Sequence, residues 1–179
     1  MSRRWRGIAS WTAATLILAA GIHYAAGLIY PRALIAYVSG KIVGKVGKNA
    51  FHHGTRPTPK DRIVVLPSPD LIYSSAAFDL SEGPVRITAP LTGSYMSVSL
   101  YASNSDNFFV MNDQQVEDGK FDIILAKPGA AVPEIRGTQV VRAPSTTGIM
   151  LIRYFAGEGN KAEEIASRQK EITCSGCQR

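Results

Sequence analysis

A chain of 179 residues with 45% hydrophobic and 19% charged side chains has a globular composition and is long enough for one domain with its own core. The formal net charge of +6 is unevenly spread: residues 1–59 carry eight basic and no acidic side chains, whereas residues 60–179 carry twelve basic and fourteen acidic, a net of −2. The folded part therefore lacks a basic face to neutralise phosphates, so nucleic-acid binding is not expected, and the basic excess of the leader points to a membrane surface.

Residues 1–31 read as a basic flank followed by a transmembrane helix. From Gly7 to Pro31 no side chain carries a fixed charge, and about 20 such residues suffice to cross a bilayer core of about 30 Å. The run exceeds the ~7–15 residues of a signal-peptide apolar region. A cut after Ala20 would put Leu18 at the −3 position and a cut after Ala26 would put Tyr24 there, so an uncleaved anchor is expected over a cleaved signal. Arg3, Arg4 and Arg6 crowd the helix start and favour the N-terminus inside. Lys41, Lys45 and Lys48 oppose that orientation from farther away. The expectation is a single-pass protein of the inner (cytoplasmic) membrane with its domain facing the periplasm. His23 lies within the run without a partner charge and reads as a neutral imidazole beside Tyr24 and Tyr30.

Residues 32–60 read as a juxtamembrane segment and linker. Pro31 is expected to close or kink the span. Beyond it Leu34, Ile35, Val38, Ile42, Val43 and Val46 recur at helical spacing, which predicts either an amphipathic helix along the headgroups or a solvated connector. His52 and His53 are adjacent, so a regular strand or helix does not converge them on one metal, and no metal site is expected. Gly54 to Lys60, with Pro57 and Pro59, reads as the linker into the domain.

Residues 61–179 read as the β domain. Strands are predicted at Arg62–Leu66, Tyr73–Leu80, Val85–Thr88, Met96–Leu100, Asn107–Met111, Phe121–Ala126, Gln139–Arg142 and Gly148–Phe155, with turn residues such as Glu82-Gly83-Pro84 and Glu117-Asp118-Gly119 between them. Met96, Val98 and Leu100 alternate with Ser97 and Ser99, which predicts an apolar inner face and a polar outer one. Short strands at this spacing predict a mainly β protein, an antiparallel β-sandwich or jelly-roll-like domain. A short C-terminal helix is predicted from Asn160 as cap and Glu163 three residues on, with Ala162, Ile165, Ala166 and Ile172 as its apolar stripe.

Asp70, Tyr73 and Ser74, then Asp79-Leu80-Ser81-Glu82-Gly83-Pro84-Val85 and the strand ending in Pro90, followed by Gly93, Tyr95 and Asn107-Phe108, resemble the domain-of-unknown-function family numbered 1254. The resemblance is clear over about Ile63 to Asp113 and weaker elsewhere. It implies a β-sandwich, and it implies a second β domain, numbered 1214, that often follows in the same chain. Here the chain ends before such a domain fits, so the companion is expected as a separate envelope protein. The chain departs from the family pattern at Ser68-Pro69, Leu71 and Tyr101, each of which replaces a polar group. On the matched positions the candidate ligand-binding residues are Asp70, Tyr73, Ser74, Tyr101 and Asn107.

Two further chemistries have candidate residues in the chain. A hydrolase would draw on Ser74, Ser75 and Asp79, but every histidine lies at or before His53, so a Ser–His–Asp arrangement requires His52 or His53 to fold back onto the domain. No Gly-x-Ser-x-Gly elbow is present. Cys174-Ser175-Gly176-Cys177 reads as a local disulfide or a frayed thiol pair after the last helix; a redox role and a metal shared with a partner are the alternatives. No cofactor is expected. The leading expectation is a membrane-anchored binding or accessory domain of the bacterial cell envelope. Its rivals are an envelope hydrolase with a pocket near Asp70, Tyr73 and Ser74, and a purely structural envelope protein.

Overall fold

The computed structural model describes residues 3–58, 67–157 and 161–176. One helix, α1 (Arg3–Val46, 44 residues), opens the chain. It does not stop at Pro31. The proline forgoes one helical hydrogen bond, and its carbonyl accepts from Ser105 Oγ at 3.1 Å. The helix ends where Gly47 takes a positive φ of 89°, a backbone conformation that costs glycine little.

The strands are β1 (Phe51–His53), β2 (Leu71–Asp79), β3 (Val85–Pro90), β4 (Met96–Ala102), β5 (Asn107–Asn112), β6 (Lys120–Ala126), β7 (Gln139–Arg142), β8 (Thr147–Phe155) and β9 (Thr173–Gly176). A short helix, α2 (Lys161–Gln169), lies between β8 and β9. They form two sheets, a five-stranded one in the order β1-β2-β8-β4-β5 and a four-stranded one in the order β7-β6-β3-β9. All neighbouring pairs are antiparallel except β6 with β7, and neither sheet closes into a barrel.

The sandwich core follows from alternation. Ile72, Ala76 and Phe78 of β2, Met96, Val98 and Leu100 of β4, and Met150, Ile152 and Tyr154 of β8 face Val85 and Ile87 of β3 and Phe121, Ile123 and Leu125 of β6 in one buried cluster. Each of the larger aliphatic and phenylalanine side chains among them stabilises the fold by about 1.5–3 kcal/mol on burial. Ile165 of α2 closes the cluster at 1% exposure, with Ala162 and Ile172 packed beside it, whereas Ala166 is exposed.

Four expectations need amendment. Ser97 and Ser99 alternate with the inward Met96, Val98 and Leu100 as expected, but both are buried rather than water-exposed. The apolar stripe after Pro31 does not lie free: Ile42, Ile35 and Val38 pack on Ala77, Ile149 and Tyr101 of the five-stranded sheet. Ile42 is only 2% exposed, because burial against an apolar sheet face satisfies the stripe as well as headgroups do. Residues Thr173–Gly176 are not a frayed tail but the edge strand beside β3. Phe51–His53, read as part of a linker, is the edge strand beside β2. The strand predicted at Arg62–Leu66, the cap at Asn160 and Cys177 lie outside the described residues, and with Cys177 goes the disulfide expectation.

Candidate functional site

Strand parity divides the candidate residues. Along β2, Ser74 faces inward with Ile72, Ala76 and Phe78, so Tyr73 and Ser75 face outward. Asp70 sits exposed in the turn before β2. The structure therefore does not gather Asp70, Tyr73 and Ser74 into one pocket.

Ser74 belongs to a buried polar cluster that β1 completes by folding back. In register, His53 lies opposite Ser74, and His53 Nδ1 stands 3.0 Å from Ser74 Oγ. Gln169 of α2 donates to Ser74 Oγ at 3.1 Å and to the Gly54 carbonyl at 3.2 Å. Ser74 Oγ also lies 3.4 Å from Tyr154 Oη. A hydroxyl has one proton and two lone pairs, so these three neighbours use its whole capacity. Burial pushes the Tyr154 hydroxyl up to about 12. Burial, and then His52, hold the His53 ring below its ordinary value, which keeps it neutral. The rings of Phe51 and His53 stack at 6.3 Å on the same side of β1. His52 points the other way, where Lys45 Nζ lies 2.9 Å from its Nε2. A serine beside a neutral histidine has the outline of an activated nucleophile. Ser74 has 0% exposure, however, and so offers no face to a substrate carbonyl.

Tyr101 and Asn107 sit together at the bulge between Leu100 and Tyr101. With its amide nitrogen turned inward, Asn107 donates to the carbonyls of Phe109 (3.0 Å) and Leu100 (3.2 Å). That is a strand-shaping role. Tyr101 instead faces the outer surface of the sheet, where its Oη accepts from Arg153 Nη2 at 3.0 Å.

The outward residues do assemble a site. Between α1 and the five-stranded sheet runs a groove of about 480 Å³, within the ~300–1,000 Å³ of small-molecule sites. Ile35, Val38 and Ile42 form the helix wall, and Leu71, Ile149 and Leu151 form the apolar floor. Tyr73, Tyr101, Arg153, Ser68 and Ser75 supply the polar groups. Tyr73 Oη is held by the Ser68 N–H at 3.0 Å. The register sets Tyr73, Arg153 and Ser97 side by side on β2, β8 and β4. Among the described residues no carboxylate lies within ion-pair distance of Arg153. A larger hollow of about 1130 Å³ at the end of the sandwich gathers Asp79, Glu82 and the Ala130–Pro133 loop, but Asp79 there is already paired with Lys48.

Of the groove's polar residues, the sequence pointed to Tyr73 and Tyr101 as ligand-binding candidates and to Ser75 as a hydrolase candidate. It missed Arg153, whose signal was a lone charge in the alternating run Leu151-Ile152-Arg153-Tyr154.

A family model described as "Protein of unknown function (DUF1254)" matches residues 48–176. The chain belongs to the DUF1254 family. The match extends the resemblance well past Asp113 and takes in β1 and β9. Among solved structures, the DUF1254 chain is similar to the VPA0106 protein from Vibrio parahaemolyticus, with a TM-score of 0.62 and 12% identity over 86% of this chain and 40% of that one. It is also similar to an uncharacterized protein from Burkholderia cenocepacia, with a TM-score of 0.52 and 14% identity over 70% of this chain and 36% of that one. At these identities the likeness shows the fold, and the chain spans less than half the length of either relative. No curated protein matches it.

Proposed function

We propose that this DUF1254 protein is a single-pass, membrane-anchored binding module of the bacterial cell envelope. Its sandwich stands on the periplasmic side, beside a separate protein that carries the companion domain. The observation that carries this reading is the division of α1. Every described side chain from Trp5 to Tyr30 is exposed, and the helix is long and apolar enough to cross a membrane. From Ile35 onward the same helix is packed onto the sheet. One continuous helix thus joins a bilayer-length apolar rod to the wall of the groove. Arg3, Arg4 and Arg6 support the inward N-terminus.

Two measurements test it. The full chain should resist carbonate extraction from membranes, and a reporter active only outside the cytoplasm should give signal when fused to Arg179. Release by carbonate, or signal from a cytoplasm-only reporter, would overturn it. Crosslinking in native membranes tests the companion, and recovery of monomers and self-crosslinked dimers alone would count against it.

The Ser74–His53 contact favours a hydrolase as the second reading. Complete burial of Ser74 weighs against it, as does the occupation of its hydroxyl by Gln169 and Tyr154. Labelling of Ser74 by a fluorophosphonate in the folded protein would reverse that ranking.

A further inference from the structure

We infer that the groove between α1 and the five-stranded sheet holds a long-chain carboxylate, one alkyl chain with an anionic head, taken from the adjoining bilayer. The inference rests on the membrane-anchored reading above and names the ligand class of its site. Three observations carry it.

The first is chemical division within the groove. Ile35, Val38, Ile42, Leu71, Ile149 and Leu151 present hydrocarbon from both walls, which suits an unbranched apolar chain. The second is charge. Arg153 is half-buried, is fixed by Tyr101 Oη at 3.0 Å, and has no carboxylate partner among the described residues. A guanidinium keeps its charge when partly desolvated and offers a planar fork that matches a carboxylate. With one Nη engaged by Tyr101, the remaining donors are available to a single anionic head. The third is position. Ile35 and Ile42 lie about 8–18 Å along the helix from Tyr30 at ~1.5 Å per residue, so the groove begins where the apolar rod ends. At about 480 Å³ it has room for one chain rather than a two-chain phospholipid.

The test uses the full chain in nanodiscs of neutral phosphatidylcholine and a diazirine-bearing palmitate as the photo-crosslinking probe. Peptide mapping should place crosslinks on the segments containing Val38 and Leu151, in addition to those on the bilayer-embedded helix. The probe's methyl ester should label those two segments about tenfold less, since it lacks the charge-assisted bond to Arg153. Arg153→Leu should lower labelling by the acid to the ester's level, and Arg153→Lys should retain part of it. Val38→Trp should abolish both by filling the groove. Labelling confined to the bilayer-embedded residues, or equal labelling by acid and ester, would overturn the inference. The acid–ester comparison uses the wild-type chain, so it decides even if a variant fails to fold. Failure here with intact carbonate resistance would reject the ligand class while leaving the anchored reading standing.

Discussion

Lys48 Nζ donates to the Asp79 carboxylate across 2.7 Å, joining the chain just past the end of α1 to the last residue of β2. Asn49 reinforces the junction from both sides of the Asp79 peptide: its amide donates to the Asp79 carbonyl and its Oδ1 accepts the Asp79 N–H, each at 2.9 Å. The Asn49 N–H also donates to the Ala77 carbonyl at 2.9 Å. The helix is therefore tied to the sheet at its end as well as along its stripe.

The first prediction concerns this junction and acid. The hydrogen bond from Lys48, helped by Ser81, lowers the Asp79 carboxyl to about 2. A group whose folded pKa is depressed contributes stability above its unfolded value of about 3.9, and that stability disappears as pH falls toward the folded value. Asp79→Asn should therefore be less stable than wild type near neutrality, and the difference should close between about pH 4 and about pH 2. Lys48 is water-exposed, so the gap should also shrink in salt. Denaturant titrations across that range provide the check, and a gap that widens in acid would contradict the assignment.

The second concerns the cluster at Ser74. Replacing Ser74 by Ala leaves His53, Gln169 and Tyr154 short of a partner, which should cost about 1–3 kcal/mol. The histidines add a separate pH signature. Burial lowers the folded pKa of both His52 and His53, so the unfolded chain takes up protons first and stability falls as pH drops below about 6.5. His53→Gln should flatten that slope. An unchanged slope would mean that the ring titrates alike in both states.

The third concerns Gly148 of β8. A Cβ there would stand against the Tyr101 carbonyl oxygen and 2.6 Å from the Phe78 ring. Neither backbone nor a core ring can give way cheaply, so Gly148→Ala should destabilise by about 1–3 kcal/mol or more. Thermal unfolding of the variant is the measurement, and a wild-type transition would show that the sheet is looser at this point than the packing implies.

Most strands that the sequence revealed are long enough to show a period. Along β4, Met96, Val98 and Leu100 alternate with serine over five residues, and the inner face was legible. Short strands depend on composition instead. The four residues of β7 were legible through the adjacent Val140 and Val141. The three of β1, two of them histidine, and the four of β9, with serine and glycine, carry neither period nor β-branched run; only their pairing partners make them strands. The site was hidden for a different reason, because its walls come from elements far apart in the chain. Which face of β2 would carry Tyr73 and which Ser74 follows from parity, but what covers each face depends on where α1 and β1 return. Arg153 gained significance only when Tyr101 and α1 stood beside it.

The fourth prediction separates faces from burial on β4. Val98→Asp should unfold the domain, since it sets an unpaired charge in the sandwich core. Ser99→Asp should be almost as damaging, because Ser99 is itself at 0% exposure. Ser99→Ala should be neutral or slightly stabilising, since the Ser99 hydroxyl has no hydrogen-bond partner among the described residues. A mild Ser99→Asp would mean that the outer face of β4 opens to water.

The last prediction asks where the anchor ends and the domain begins. The alternation of the β strands suggests that residues 1–56 can be removed without loss. The packing argues for an earlier cut. Residues beyond Pro31 supply Ile42, which is buried on Ala77 and Ile149, and its burial is worth about 1.5–3 kcal/mol. Residues 51–53 pair with Ser74–Ala76 and bring His53 to Ser74. Removing 1–56 would therefore uncover an apolar patch, leave β2 as an unpaired edge and strip the Ser74 cluster of its histidine; an exposed edge of this kind invites aggregation. Removing only 1–30 deletes the exposed apolar rod and leaves all of those contacts in place. The shorter deletion should give a soluble protein with wild-type resistance to denaturant and the longer one a less stable, aggregation-prone protein. Equal stability of the two would mean that α1 and β1 are carried by the sandwich and contribute nothing to it.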